Sequence, residues 1–396
     1  MVILIDPPDW PAHGRWWSHL ASDVSFAELH EFAARHSVPR RGFERDHYDV
    51  PAEMYSALVS AGATPVPARE VVRRLHRSGL RRRKSVTPAS RPPGRVLLRP
   101  PALQVGDVVT VAATSGVVPA QSLSLGTARL ESWGLRVRPG AHVMDAHPTL
   151  DHLAGPDEDR AADFTEAWLD PDAAAVMVAR GGFGSQRILD LLDWRRLAEA
   201  GPKLFIGFSD VTALHQAIAT RLGLVTLHGH VVTSLGSAEP ASAESLRRLA
   251  MEPETIGDLL AGRPVTTVVP GQSTGVLTGG NLSLLAAEIG TRFTRPGRGG
   301  IVVLEDAGEP AYRVDRLLTQ LLRAGWFDGV AGLVIGSFTD CGPPEEVEAV
   351  LLARLVPLGV PMVAGFEFGH TPTMVSVPFG VRAVLDADHG ILSVQW

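Results

Sequence analysis

Three continuous apolar runs, each followed at once by a helical pattern, constrain this chain more than any other feature. "DVVTVAA" (107–113) leads into "LSLGTARLESWG", "AAAVMVAR" (173–180) into "SQRILDLLDW", and "KLFIGF" (203–208) into "DVTALHQAIATRLG". A strand with one wet face alternates apolar and polar residues, whereas these runs do not alternate and are expected to be buried on both faces. Strands alternating with helices predict a parallel sheet covered by helices on both sides. Sites in such sheets form in the loops at the carboxyl ends of the strands. Three loops therefore matter: "TSG" (114–116), "RGGFG" (180–184) and "FSD" (208–210).

At 396 residues the chain is long enough for two or three domains. The stretch "SVTPASRPPGRVLLRPP" is rich in Pro, Ser and Arg without periodicity, and reads as a linker over residues 85–100. It separates a small α/β domain (1–84) from a parallel-sheet α/β domain (101–262) and a β-rich C-terminal domain (263–396). In the first piece "VILID" reads as a strand and "SFAELHEFAARH", opened by Ser25, as a helix; "PAEMYSALVSAG" and "AREVVRRLHRSG" are two further helices, the last closed by Gly79. The third piece mixes short strands with two helices and finishes in "TMVSVPFGVRAVLDADHGILSVQW", whose alternation suggests antiparallel pairing.

Charge narrows the partners. Residues 1–84 carry 13 Lys/Arg against 10 Asp/Glu, and the remainder 24 against 33, so a front of +3 joins a body of −9. Most of the basic excess lies in "RRLHRSGLRRRK" (73–84), where a helix end runs into the linker and cations suit the dipole. With no aromatic interleaving, no nucleic-acid partner is expected. The single cysteine, Cys341, excludes an internal disulfide and fits a reducing compartment. The opening "MVILIDPPDW" lacks a basic n-region, and no apolar run is long enough to span a bilayer, so a cytoplasmic protein without membrane contact is expected.

Ser209 stands where the strand "KLFIGF" gives way to a helix. It is either a cap or a nucleophile on a tight strand-to-helix turn. A serine nucleophile needs a base, and the base an orienting acid. His215 follows on the same helix, but six residues at about 100° each place it roughly 240° round the axis, facing away. His228 and His230 follow the next strand, and His370 ends "VAGFEFGH", with Gly365 and Gly369 allowing close backbone approach. "GGIVVLED" is an apolar strand closed by Glu305 and Asp306, which point to opposite faces. The order Ser, acid, His is one known triad order. "RGGFG" offers bare backbone N–H groups, and the Asp210 N–H opens a helix, so an oxyanion hole is available. A phosphate loop is the rival reading, but "RGGFGSQR" lacks the Lys-Ser/Thr ending and the GxGxxG spacing.

In this order "ARGGFGSQRILDLLDW", "KLFIGFSDVTALH", "TGGNLSLLAAEIGT", "GIVVLEDAGEPAYRVDRLLTQLLRAG" and "GFEFGH" resemble the LD-carboxypeptidase family of serine peptidases, over about residues 101–396. That family includes murein tetrapeptide carboxypeptidases and microcin C self-immunity hydrolases. The resemblance implies Ser209 as nucleophile, Glu305 as acid and His370 as general base. It implies oxyanion donors at the backbone of Asp210 and of Gly181 or Gly182, and substrate contacts from Arg180 and Asn281. It further implies a Ser-Glu-His enzyme without cofactor or catalytic metal, a murein tetrapeptide substrate and a homodimer. A non-catalytic muropeptide-binding module would not need the three residues. Many relatives have Tyr where this chain has Phe183 and Phe208, and "HGPM" where it has "HGHVV"; these departures bear on substrate detail.

The front piece, with "VILIDPPDWPAHGRWWSHLASD" and "ERDHYDVP", resembles a small bacterial domain of unknown function. Six of the 14 histidines lie there. His13, Asp46, His47 and Asp49 sit in stretches that read as loops, either as ligands for Zn or Mn or as hydrogen-bonded anchors around Trp10, Trp16 and Trp17.

Overall fold

The computed structural model describes residues 2–12, 15–44, 46–78, 80 and 96–396. His13, Gly79, the arginines and lysine of 81–84, and linker residues 85–95 lie outside the described residues. The chain divides into two units, Met1–Val86 and Thr87–Trp396.

The first unit runs β1 (Ile3–Ile5), β2 (Trp10–Ala12), β3 (Arg15–Ser22), α1 (Phe26–Arg35), β4 (Phe43–Glu44), β5 (His47–Pro51), α2 (Ala52–Ser60), β6 (Thr64–Pro65) and α3 (Ala68–Arg77). Its sheet has the order β4-β5-β3-β1-β6, with β2 on β3. The three expected helices are present, and Ser25 caps α1 by accepting from the Glu28 N–H at 3.2 Å. The stretches around Trp16, Trp17, His47 and Asp49, read from sequence as loops, are strands β3 and β5. Tyr48 and Val50 turn inward between more exposed neighbours and, with Leu20, pack on Leu29 and Ala33 of α1 and Leu58 of α2. In β3 the period of two is hard to see, because Trp16 and Trp17 are adjacent and Ala21 and Ser22 are both buried.

The second unit continues with β7 (Val108–Ala112), α4 (Ala120–Ser132), β8 (Arg136–Pro139), α5 (Asp157–Leu169), β9 (Ala173–Val178), α6 (Ser185–Ile188), α7 (Trp194–Glu199), β10 (Leu204–Gly207), α8 (Thr212–Arg221), β11 (Thr226–His228), α9 (Val232–Leu235) and α10 (Pro240–Met251). The sheet order is β17-β11-β10-β9-β7-β8, where β7 to β11 are parallel and β17 (Val377–Phe379) adds antiparallel to β11. Both faces are buried, as the unbroken apolar runs require. Ala175, Met177 and Ile206 face Leu123 and Leu130 of α4, while Val176, Val178 and Phe205 face Phe164 and Trp168 of α5 and Leu214 of α8. The expected helix 185–194 is broken in two, because the Asp193 carboxylate accepts from the Arg195 and Arg196 N–H groups and starts α7 afresh.

The rest of the chain is β12 (Thr266–Val269), β13 (Gln272–Asn281), α11 (Leu282–Ala287), β14 (Gly300–Ala307), α12 (Ala311–Arg323), β15 (Gly332–Thr339), α13 (Pro344–Leu355), β16 (Met362–Ala364), β17, β18 (Arg382–Asp386) and β19 (Ile391–Gln395). Its sheet, β12-β16-β15-β14-β13-β18-β19, is parallel at the centre and antiparallel at both edges. The expected antiparallel finish is β18 with β19, but β17 crosses back to close the first sheet. Residues 96–100, read as the end of the linker, dock here too. Leu97 is 8% exposed and donates its N–H to the Gly380 carbonyl at 2.9 Å.

Candidate active site

β10 ends at Gly207, and the chain turns through Ser209 into a 3-10 turn (Ser209–Val211) ahead of α8. Ser209 has φ +69°. A left-handed conformation costs an L-residue about 1–2 kcal/mol, so the turn holds this side chain against its preference. The hydroxyl Oγ lies 3.0 Å from Nε2 of His370. Nδ1 of the same ring lies 2.7 Å from Oε2 of Glu305.

Glu305 comes from β14 and is fully buried, whereas Asp306, one residue on, faces the other way. The Asp306 carboxylate accepts from Nδ2 of Asn281 at 2.9 Å and from the N–H and Oγ of Ser283 at 3.0 and 2.8 Å. His370 follows Gly369, which has φ +96°. A Cβ at position 369 would lie 2.4 Å from Oε2 of Glu305, so only glycine lets the carboxylate pass beneath the histidine. The His370 carbonyl accepts from the Thr339 hydroxyl, which fixes the ring's base. Burial works to lower the pKa of the imidazole, but the hydrogen bond and charge of Glu305 outweigh it and raise the pKa above its ordinary value.

The other histidines stand aside. His215 is buried, with Nε2 2.8 Å from the Gly207 carbonyl and Nδ1 2.8 Å from the Thr226 hydroxyl. His230 lies between Ser234 and Ser242. Burial pushes both down to about 4. His228, also a candidate from sequence, is wholly buried against the Phe368 ring at 4.2 Å.

The three loops singled out from sequence converge at the carboxyl edge of the first sheet. β7 sits between β8 and β9, so chain order reverses there, the switch point at which such sheets bind their ligands. The Gly116 N–H donates to the Gly181 carbonyl at 3.1 Å across that point. A Cβ on Gly181 would lie 3.2 Å from Cβ of Ser209, so the glycine backbone passes directly beside the serine. Gly182, at φ +120°, follows on the same loop. Arg180 is exposed and donates from Nη1 to the Val117 carbonyl at 2.7 Å. Phe208 meets the His370 ring at 5.0 Å, while Phe183 is exposed and faces the ring of His152.

Asn281, expected at the substrate, is 4% exposed: its Oδ1 caps α11 by accepting from the Leu284 N–H, and its amide donates to Asp306. It stands beside Glu305 on the neighbouring strand, but its polar atoms are turned inward.

Sequence reasoning missed the frame beneath the loops. The buried Asp210 carboxylate accepts from the Ser115 hydroxyl at 2.6 Å and the Ser185 N–H at 2.8 Å, tying all three loops together. Burial raises its pKa against those bonds. Arg160 of α5, 1% exposed, donates to the carbonyls of Thr114 and Gly184 and pairs with Asp157. The signal was present: Pro156 followed by three acids in a first turn marks the start of α5.

Residues 109–229 match the LD-carboxypeptidase N-terminal domain, and residues 274–385 the LD-carboxypeptidase C-terminal domain. A Streptomyces coelicolor protein is 52% identical over 303 residues, 76% of this chain and 97% of its own length. The murein tetrapeptide carboxypeptidase of Pseudomonas aeruginosa is 36% identical over 294 residues, 71% of this chain and 93% of its own. The chain belongs to the LD-carboxypeptidase family. Within that family it is also similar to the microcin C7 self-immunity protein MccF of Escherichia coli, 27% identical over 61% of this chain and 80% of that protein. A solved MccF holding glutamyl sulfamoyl guanosine superposes with a TM-score of 0.66 at 25% identity, covering 76% of this chain and 98% of that one. Residues 3–78 match a family of unknown function. Among the described residues no helix is long and apolar enough to cross a membrane.

Proposed function

We propose that this LD-carboxypeptidase family member is a serine peptidase that cleaves the L-to-D peptide bond of murein tetrapeptides and releases the C-terminal D-alanine. The observation that carries the reading is the unbroken chain from Ser209 Oγ through His370 to the buried Glu305, at 3.0 and 2.7 Å. Ser209 Oγ attacks the scissile carbonyl while His370 Nε2 takes its proton. Glu305 holds the Nδ1–H and stabilises the imidazolium that forms. The oxyanion is received by the Asp210 N–H at the head of the turn and by the N–H of Gly181 or Gly182. His370 returns the proton to the leaving amine, so D-alanine departs and an acyl-serine ester remains. A water molecule, deprotonated by His370, then attacks that ester and frees Ser209. Arg180, at the mouth of the crevice, suits the carboxylate of the departing residue.

A peptidyl-nucleotide of the kind bound by MccF would use the same chemistry. Greater identity to the murein enzyme than to MccF, 36% against 27%, favours the muropeptide. The test is incubation with a murein tetrapeptide, with free D-alanine as the readout. Release by the native protein and none by Ser209→Ala is expected. Cleavage of a peptidyl sulfamoyl nucleotide with the tetrapeptide left intact would reverse the choice of substrate.

A further inference from the structure

The proposed hydrolysis makes no use of the first unit, yet that unit carries a cluster built like a metal centre. His19 on β3 and Asp49 on β5 stand directly opposite each other in the sheet, and His47 lies two residues from Asp49 on the same face. Nε2 of His47 is 3.2 Å from Oδ1 of Asp49, and Nε2 of His19 is 4.0 Å from the same oxygen. The three ligand atoms all lie within 4.8 Å of one another. We propose that His19, His47 and Asp49 bind one divalent transition-metal ion through two imidazole Nε2 atoms and one carboxylate.

The far side of each imidazole supports this. Nδ1 of His19 lies 2.7 Å from Oδ2 of Asp6, whose other oxygen accepts from the His19 N–H at 2.5 Å. Nδ1 of His47 lies 2.6 Å from Oδ1 of Asp46. Both supporting carboxylates are buried, Asp6 at 3% and Asp46 at 2% exposure. A buried carboxylate on Nδ1 fixes the tautomer and leaves the Nε2 lone pair for a cation, which is how metal-binding histidines are held. Both rings have this support, and both direct Nε2 at one anion. Ligand atoms about 2.0–2.1 Å from one zinc ion stand roughly 3.3 Å apart, so sub-ångström shifts of the side chains close the site. Asp49 and His19 are partly exposed, leaving the remaining coordination positions to water. Imidazole nitrogen selects ions such as Zn²⁺ over Ca²⁺ and Mg²⁺, which prefer oxygen alone.

The test uses the full chain and Zn²⁺, with affinity measured by competition against a chromophoric chelator and stoichiometry by elemental analysis after gel filtration. One Zn²⁺ per chain is expected, unaffected by excess Ca²⁺ and by Ser209→Ala. His47→Gln and Asp49→Asn should each weaken binding by more than tenfold, and Asp46→Asn by roughly 10- to 100-fold through its effect on the ring. X-ray absorption of the Zn²⁺-loaded native protein gives a reading that needs no variant, with two imidazoles and oxygen expected in the first shell. Less than a tenth of an equivalent bound, a shell with fewer than two imidazoles, or folded variants that bind like the native chain would overturn the assignment.

Discussion

Replacing Glu305 by Gln separates an orienting acid from a merely buried one. Glu305 is wholly buried; Oε2 faces His370 at 2.7 Å and Oε1 has no hydrogen-bond partner among the described residues. In Glu305→Gln the amide oxygen can still accept from Nδ1–H, but the new NH₂ then occupies the place of Oε1 with nothing to accept from it. An unsatisfied buried donor costs about 1–3 kcal/mol of stability. The larger loss is in the transition state, where the imidazolium no longer has its counter-charge. Unit charges at an effective separation of about 5 Å and an effective dielectric constant of about 20 attract by roughly 3 kcal/mol, or about 10² in rate. If the amide turns its NH₂ toward Nδ1 instead, the ring takes the wrong tautomer and the loss approaches 10⁴. kcat for D-alanine release should therefore fall by about 10² to 10⁴. The pH profile adds an independent readout. Glu305 raises the His370 pKa, and the base works only when neutral. The acid limb of kcat/KM should thus lie above the ordinary histidine pKa in the native enzyme and move to lower pH in the variant. Asp306→Asn is the control: it weakens the bonds to Asn281 and Ser283 and should lower the melting temperature while changing kcat little. A Glu305→Gln enzyme keeping more than about a tenth of native kcat, or a folded but inactive Asp306→Asn enzyme, would refute the assignment of the acid.

Ser209→Gly should abolish turnover yet raise stability by roughly 1 kcal/mol, because glycine adopts a positive φ without strain; thermal melting beside the alanine assay checks both halves. Folding holds His215 and His230 near pKa 4, below their ordinary value of 6.5. Below pH 6.5 the unfolded chain therefore binds more protons than the folded one, and stability falls with pH toward 4, by up to about 3 kcal/mol per group. Denaturant midpoints across that range should show this loss, lessened in a His215→Gln variant that folds. Chelation should leave D-alanine release unchanged even where it removes Zn²⁺ from the first unit, since the proposed nucleophile is a hydroxyl activated by His370; activity lost to a chelator and restored by Zn²⁺ would contradict that mechanism.

Local patterns determined much of this protein. Apolar runs without alternation identify strands buried on both faces, and β7, β9 and β10 are such strands. A serine at a strand-to-helix junction, acids closing a buried strand and a histidine after a glycine were each legible as candidates. Choosing among them from sequence required the resemblance to a family, because residues 161 and 65 positions from His370 have no local signal of nearness. Distance in space was decided by the tertiary structure alone: the crossing of β17 back to the first sheet, the approach of Gly369 over Glu305, and the inward turn of Asn281 all depend on long-range packing. The same holds for Arg160 and Asp210, whose charged side chains are buried beneath the loops. In the first unit the residues His47 and Asp49 were visible, but their partner His19 was not. It joins them through the pairing of two strands, and only the register of a sheet places three such side chains on one face.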